Sequence, residues 1–383
     1  MEKEIDKLVE KYKSDIYDDF RKIVDINSFS SNLEGIKECA KALVEVASQK
    51  GIALEETYSS KRRRPHLMYS KSLESDFYAF IGHFDTVHPP ESEFDKMVDE
   101  GDILRGPGTN DMKGGLIVAL YSLVILKELY PDRKIPIKIL FNSDEEIGSP
   151  DSSEIIKSEF KNAKAGFVFE AGRAPGYSVV TSRKGVFEII VEIEGKAAHS
   201  GVEPWNGINA IVAAAKIVQR LDGLNDYDKG IIVGCNQIVG GIAKNVVPPD
   251  CKIDVNVRFV DNEQERYILS QMEEIFSKDD YDGAKVSYRL IHSRPPLVKT
   301  TKSQELYELY RSVSNFYGFE CSEVSTGGGS DANYLGDLGV PVIDGVGVVG
   351  KYSHTTKEYI LKSSIIERIK IFVLFMTKLT EKD

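Results

Sequence analysis

Residues 76–172 constrain the fold of this chain more tightly than any other stretch. "DFYAFIGHFDTV" (76–87) reads as a buried strand running into a loop, "KGGLIVALYSLVILKELY" (113–130) as a long helix, and "IPIKILFNSDEE" as the next strand. A further strand, "AGFVFEAG", covers 165–172. Strand–helix–strand order of this kind predicts a largely parallel sheet covered by helices, an α/β fold. The N-terminus places Ile5, Leu8, Val9 and Tyr12 on one helical stripe.

Between about 181 and 293 the texture changes. "VFEIIVEIEG" and "CKIDVNVRFV" alternate apolar and polar residues, as half-exposed antiparallel strands do, with helices near 206–221 and 261–278. "SRPPL" then interrupts the chain, and a helix-rich stretch returns from 302. The expected organisation is a discontinuous α/β domain (1–180 and 294–383) carrying an inserted α+β domain (181–293). At 383 residues and 42% hydrophobic content the chain has material for both.

A net charge of −11 argues against nucleic acid or an anionic membrane as partner, because phosphate binding needs a basic face. The one basic run, "KRRRP" (61–65), reads as a solvated loop. No apolar run approaches the roughly 18 residues of a membrane span, and the N-terminus lacks the pattern of a signal peptide. The four cysteines show no CxxC spacing. A cytoplasmic protein is expected.

"FNSDEEIGSP" (141–150) sets Asp144, Glu145 and Glu146 side by side where an apolar strand ends. Like charges this close repel, so something positive is expected in front of them. The six histidines are scarce enough to search for it. His83 leaves a strand in "GHFDTV", two residues before Asp85, which is placed to receive the ring N–H or to hold the ring. Asp111 lies among four glycines in "RGPGTNDMKGG", Glu170 ends an apolar strand, and His354 stands in "KYSHTTKEYI". All but His354 sit at expected strand ends or the loops after them, where open α/β sheets bind ligands. Two imidazoles and three carboxylates suit two borderline divalent ions, each with one imidazole, one terminal carboxylate and a share of a bridging carboxylate. On a strand end Glu145 and Glu146 point apart, so one can ligate while the other faces the reacting water as general base.

"GHFDTV", "GPGTNDMKGG", "NSDEEIGS", "FEAG" and "YSHTTKEYI" occur in the order found in the dinuclear zinc exopeptidases and deacylases, the family of carboxypeptidase G, aminoacylase, acetylornithine deacetylase and succinyl-diaminopimelate desuccinylase. The chain resembles that family over nearly its whole length. The resemblance implies a zinc-exopeptidase-like mixed sheet with helices on both faces and an inserted lid domain through which the protein dimerises. It implies two zinc ions per chain, with cobalt or manganese as substitutes: His83 and Glu170 on one, Glu146 and His354 on the other, Asp111 bridging. Glu145 would be the catalytic base and Asp85 would stand behind His83. "GKAAHSGVEPWNGINAI" resembles the lid motif whose histidine, here His199, reaches a partner subunit's active site and stabilises the oxyanion. Asn245 in "AKNVVPPD" and Arg258 in "VNVRF" match residues that hold a substrate carboxylate, a task suited to the planar guanidinium fork. Lys184 is a further candidate for that role. Gly328 and Ser330 belong to "TGGGSDAN", similar to a substrate-contacting loop. Substrates would be small peptides or N-acyl amino acids.

The chain departs from the family pattern at Gly329 (commonly threonine), Pro107 (commonly arginine) and His88 (usually proline), which is read as a rim residue. None of these removes a ligand. A glutamate at 170 favours the carboxypeptidase and deacylase side over the aminotripeptidases, which carry aspartate. "GVGVVG" (345–350) spells a dinucleotide fingerprint, but the β-branched "KYSHTTKEYI" that follows does not open a helix. "TGGGSDAN" lacks the GK[ST] of a phosphate loop. An inactive amino acid or peptide binder would be expected to have lost a ligand or Glu145, and none is lost.

Overall fold

The helix expected at 113–130 spans Gly114–Leu129, and every residue from Gly114 to Leu126 is buried. A helix apolar on all sides must be surrounded, and this one lies beneath the sheet in the main core, with Leu116, Leu120 and Leu123 among residues such as Phe80, Phe169 and Phe372. The computed structural model describes residues 1–381 apart from 62, 174 and 175. The chain divides into two compact units, one of Met1–Ser182, Lys299–Thr326 and Ser330–Asp383, the other of Arg183–Val298 with Gly327–Gly329.

The first unit is built on an eight-stranded mixed sheet. From edge to edge its strands are Glu55–Thr57, His66–Tyr69, Ile137–Asn142, Phe77–His83, Ala163–Val168, Val342–Asp344, Val179–Arg183 and Glu323–Thr326. Phe77–His83 lies between Ile137–Asn142 and Ala163–Val168 and runs parallel to both. All its residues are buried, as a strand covered on both faces requires. The C-terminal helix Lys362–Thr380 contributes Phe372, whose ring meets those of Phe80, Phe167 and Phe169. A small separate sheet joins Val98–Asp99, Ile103–Arg105, Tyr359–Leu361 and Gly350–Lys351.

Two sequence expectations shift here. The strand expected through Glu146 stops at Asn142, and Glu145–Ile147 form one 3-10 turn. The strand expected to end at Glu170 stops at Val168. "GVGVVG" precedes the strand Gly350–Lys351 rather than a helix.

The second unit is a four-stranded antiparallel sheet in the order Ile232–Gly240, Asp250–Phe259, Gly185–Glu194, Lys285–Arg294. Helices Ala210–Asp222 and Asn262–Phe276 cover one face, sealing a core of Ile189, Val191, Ile253, Val255 and Ile217. The alternating burial of Asp250–Phe259 leaves Asp254, Asn256 and Arg258 on the open face. The unit starts two residues after the expected first crossing and runs a few residues past the second, and it includes Gly327–Gly329, where Arg183 donates to the Gly328 carbonyl at 2.9 Å and Arg258 to that of Gly327 at 3.4 Å.

Candidate active site

His83, Asp111, Glu145, Glu146, Glu170 and His354 converge at the C-terminal ends of the parallel strands. His83 closes its strand opposite Asn142. Asp111 lies in the single turn Thr109–Lys113 that opens the buried helix, and Glu170 lies two residues past Val168. His354 comes from the loop between Gly350–Lys351 and Tyr359–Leu361, with φ +64°, a conformation that non-glycine residues seldom adopt outside constrained sites.

Asp111 stands between the two imidazoles. Its Oδ1 is 3.3 Å from His83 Nε2, and its Oδ2 is 3.3 Å from His354 Nε2. Glu170 Oε1 lies 3.6 Å from His83 Nε2, and Glu146 Oε2 lies 3.0 Å from His354 Nε2. One donor atom each from His83, Asp111 and Glu146 falls within a 4.8 Å cluster, and so does one each from His83, Glu145 and Glu170. Buried atoms His83 Nε2 and Glu146 Oε1 make no aligned hydrogen bond among the described residues. Buried polar atoms left in that state fit a bound cation, which accepts imidazole and carboxylate lone pairs together.

The titration of these groups points the same way. Burial pushes the Glu146 carboxyl up to about 8, with the charge of Asp111 adding and His354 opposing. Burial, and then Asp111, push Glu170 up to about 7. Burial also acts against ionised Asp111, yet His354 and His83 outweigh it and hold that carboxyl far below its usual range. His354 rises to about 11 through the Asp111 and Glu146 carboxylates it faces. Burial opposes charging of His83, but Asp111, Asp85 and Glu170 outweigh it and raise the imidazole well above its ordinary value.

The three adjacent acids have separate environments. Asp144 is buried and faces away: its Oδ2 accepts the Asp151 and Ser152 N–H groups at 2.7 and 3.1 Å, capping the helix Ser152–Glu159. Glu146 reaches His354, whereas Glu145 reaches the His83–Glu170 side. Asp85 organises the turn that separates them. Its Oδ1 accepts the Glu145 N–H at 3.2 Å, and its Oδ2 accepts the Glu146 N–H at 3.2 Å and the Ser30 hydroxyl at 2.8 Å. His83 Nδ1 lies 3.1 Å from the Asp85 backbone carbonyl and 3.4 Å from Oδ1, so the main chain of Asp85, more than its carboxylate, receives the ring N–H.

Other candidates are placed differently. In the second unit His199 and Asn245 are exposed neighbours: His199 pairs with Val246, and Ser200 N–H donates to the Asn245 carbonyl at 3.0 Å. Arg258 Nε donates to Asn256 Oδ1 at 3.1 Å, and Asn256 in turn donates to Glu188 at 2.7 Å. Lys184 is half-buried and donates to the Gly230 carbonyl at 2.7 Å, so its ammonium is engaged within the unit. In the first unit Ser330 is fully buried; its hydroxyl donates to Asp344 Oδ2 at 2.6 Å and accepts from Ala332 N–H. Ser330 thus anchors its loop from beneath and has no hydroxyl to offer a ligand, a correction to its reading as a substrate contact. Gly328 offers its carbonyl to Arg183.

His88 is not a rim residue: it is buried, with Nε2 2.9 Å from Glu358 Oε2. Nor is the basic run wholly solvated, since Arg64 donates to the Ser30 and Ser143 carbonyls at 3.1 and 2.7 Å; Arg62 of that run lies outside the described residues. The sequence reading missed Arg183 and Arg294, both buried, around the glycine segment. A Cβ at Gly329 would meet Arg294 Cδ at 2.8 Å, so a larger residue at that departure would require the arginine side chain to shift. No local pattern marks either arginine; only the tertiary fold brings them to the glycines.

A mixed α/β fold with this donor set at its strand ends has the layout of a metallopeptidase, with residues that could hold metal ions. The family model described as Peptidase family M20/M25/M40 matches residues 79–378, and the chain belongs to that family. It is 32% identical over 275 residues to carboxypeptidase G2 of Pseudomonas sp. (strain RS-16), a match covering 70% of this chain and 66% of that protein, just under two thirds of its length. It is 26% identical over 296 residues to acetylornithine deacetylase of Myxococcus xanthus, covering 74% of each. Aminopeptidase PepT from Bacillus cereus ATCC 10987 superposes with a TM-score of 0.79 over 95% of this chain and 98% of that one; at 22% identity the likeness is one of fold. No helix among the described residues is long and apolar enough to cross a membrane.

Proposed function

We propose that this protein is a co-catalytic metallohydrolase that cleaves an amide bond next to a free C-terminal carboxylate. The observation that carries the reading is Asp111, whose two oxygens each face a different histidine. His83 and Glu170 would hold one divalent ion, His354 and Glu146 the other, with Asp111 shared; zinc suits these ligands, as do cobalt and manganese. Two such ions supply Lewis acidity, which eases ionisation of water and polarises a carbonyl.

Glu145 then acts as general base, taking a proton from the attacking water and returning it to the leaving amine. Its backbone is held by Asp85 while its carboxylate stays on the His83–Glu170 side. The substrate's free carboxylate is assigned to Arg258, as the resemblance implies. Two features of the second unit support that role: the Glu188–Asn256–Arg258 chain orients the guanidinium, and the positive charge of Arg294 acts on Arg258 from close by. Paired guanidinium groups suit a carboxylate ligand.

A homodimer forms through the second unit in this reading, with His199 of one copy meeting the carbonyl oxygen in the site of the other. The surface features that favour it are the edge strand Ile232–Gly240, on which Ile238 and Val239 are exposed, and the neighbouring exposed Ile211 and Val212. An open antiparallel edge with apolar flanks pairs readily with its own copy about a twofold axis. A reducing, cytoplasmic setting suits the four cysteines, all free thiols.

Similarity to an acetylornithine deacetylase favours a second reading, hydrolysis of an N-acyl amino acid by the same residues. Release of free amino acid from a panel of dipeptides and N-acyl amino acids, with zinc-loaded protein and with chelator, tests both. Chelator-sensitive release supports the hydrolase, and the preferred members separate peptidase from deacylase. Silence across the panel with two ions bound per chain would overturn the proposed activity.

A further inference from the structure

Glu358 has no part in the chemistry above, yet it is 1% exposed and its carboxylate is surrounded by donors. Oε1 accepts the N–H groups of Asn110 and Asp111 at 2.8 and 3.0 Å. Oε2 accepts the Gly108 N–H at 3.2 Å and the His88 Nε2–H at 2.9 Å. Its backbone carbonyl takes the Gly106 N–H at 3.3 Å. Loop 106–111 is therefore wrapped around one glutamate from a segment about 250 residues away.

The placement of these partners matters more than their number. Glu358 follows His354 in the same loop, His88 follows His83 at the same strand exit, and Asp111 is itself one of the donors. One carboxylate thus joins the three segments that bear His83, Asp111 and His354. The segments are tight elsewhere too: Asn110 Nδ2 donates to Ser353 Oγ at 2.8 Å, and a Cβ on Gly350 would fall 2.4 Å from Asn110 Oδ1. Three converging backbone N–H groups form an anion cradle, and a neutral amide cannot satisfy it, because its NH2 would face donors.

We propose that Glu358, buttressed by His88, is the positioning residue that aims the Asp111 carboxylate between the two imidazoles. The proposal rests on the metal-centre reading above. It predicts that loss of the cradle weakens both ion sites together, since Asp111 serves both. A loop-filling role alone would alter stability and leave the ion sites as they are.

The test uses the full chain, stripped with chelator and titrated with cobalt(II), followed by calorimetry and by visible absorption of the bound metal. Wild type, E358Q, H88A and H88Q are compared. We expect E358Q to lose about tenfold or more in affinity for both ions, the range seen when groups that orient ligands are removed, and to change the cobalt spectrum. H88A should lose less, and H88Q, whose amide N–H can reach the same oxygen, should recover the wild-type isotherm. Wild-type isotherms and spectra for E358Q would overturn the proposal, as would weakening of one ion alone. If E358Q proves unfolded by circular dichroism, the H88A and H88Q pair decides, and an unaltered H88A overturns it. Wild-type protein that takes up no cobalt would sink the metal reading and this proposal with it, whereas uptake by wild type with unaltered variants would sink this proposal only.

Discussion

Asp85→Asn should loosen the turn that carries Glu145 and Glu146. The Asp85 carboxylate is fully buried and accepts three hydrogen bonds, from Glu145 N–H, Glu146 N–H and the Ser30 hydroxyl. Asparagine keeps one acceptor oxygen and turns an NH2 toward at least one of those N–H groups. A buried N–H left unpaired costs about 1–3 kcal/mol, and the remaining bonds lose their charge assistance, so local opening of the turn should become easier by about 2–3 kcal/mol. At about 1.4 kcal/mol per factor of ten, that is a roughly 30- to 100-fold faster amide exchange at Glu145 and Glu146. Hydrogen exchange read by mass spectrometry on short peptides covering 143–149 measures it directly. Because the same turn aims the proposed base and a proposed ligand, turnover should fall by about 10²-fold. Ser30→Ala, which leaves both backbone donors satisfied, should change exchange by less than about tenfold. Unchanged protection and turnover in Asp85→Asn would refute the organising role.

Glu145→Gln should retain both metals yet lose on the order of 4 kcal/mol or more of barrier lowering in kcat; near-normal turnover would remove Glu145 from the mechanism. Arg258→Ala should raise KM chiefly for substrates with a free carboxylate, and an equal loss on their esters or amides would count against the anchor. Co-refolding inactive Glu145→Gln chains with inactive His199→Ala chains should restore part of the activity; proven mixed dimers without recovery would show that each site comes from one chain. Metal uptake at neutral pH should release protons. Without metal, Glu146 at about 8 and His354 at about 11 hold protons there and Glu170 at about 7 is partly protonated, while the ligating forms are not. On the order of one proton or more per ion should appear as a buffer-dependent calorimetric enthalpy, and a buffer-independent enthalpy would contradict it.

What was legible in the sequence is what short-range pattern controls. The all-apolar helix near 114–129 and the strands around His83 and Glu170 follow from the period and length of their apolar runs, and with them the placing of four candidate ligands at strand ends. The alternating strands of the second unit are equally local, since period two is a property of neighbouring residues. The donor types of the site were visible too, because histidines are few and their flanking motifs distinctive.

Tertiary structure alone decided how those residues divide their work. Nothing local distinguishes Asp144 as a helix cap from Glu146 as a neighbour of His354, since both follow one strand and the difference lies in what packs on each side. Ser330 looked available because it is polar and surrounded by glycines, but the fold buries it on Asp344. Glu358 and His88 were equally opaque: their partners lie 247 to 270 residues apart in the chain, and a hydrogen bond closed over that distance leaves no periodic trace. Sequence by itself determined the elements and the chemistry available at their ends. The long-range packing of loops, which sets each polar group's partner and each carboxylate's direction, was determined only when the chain was folded.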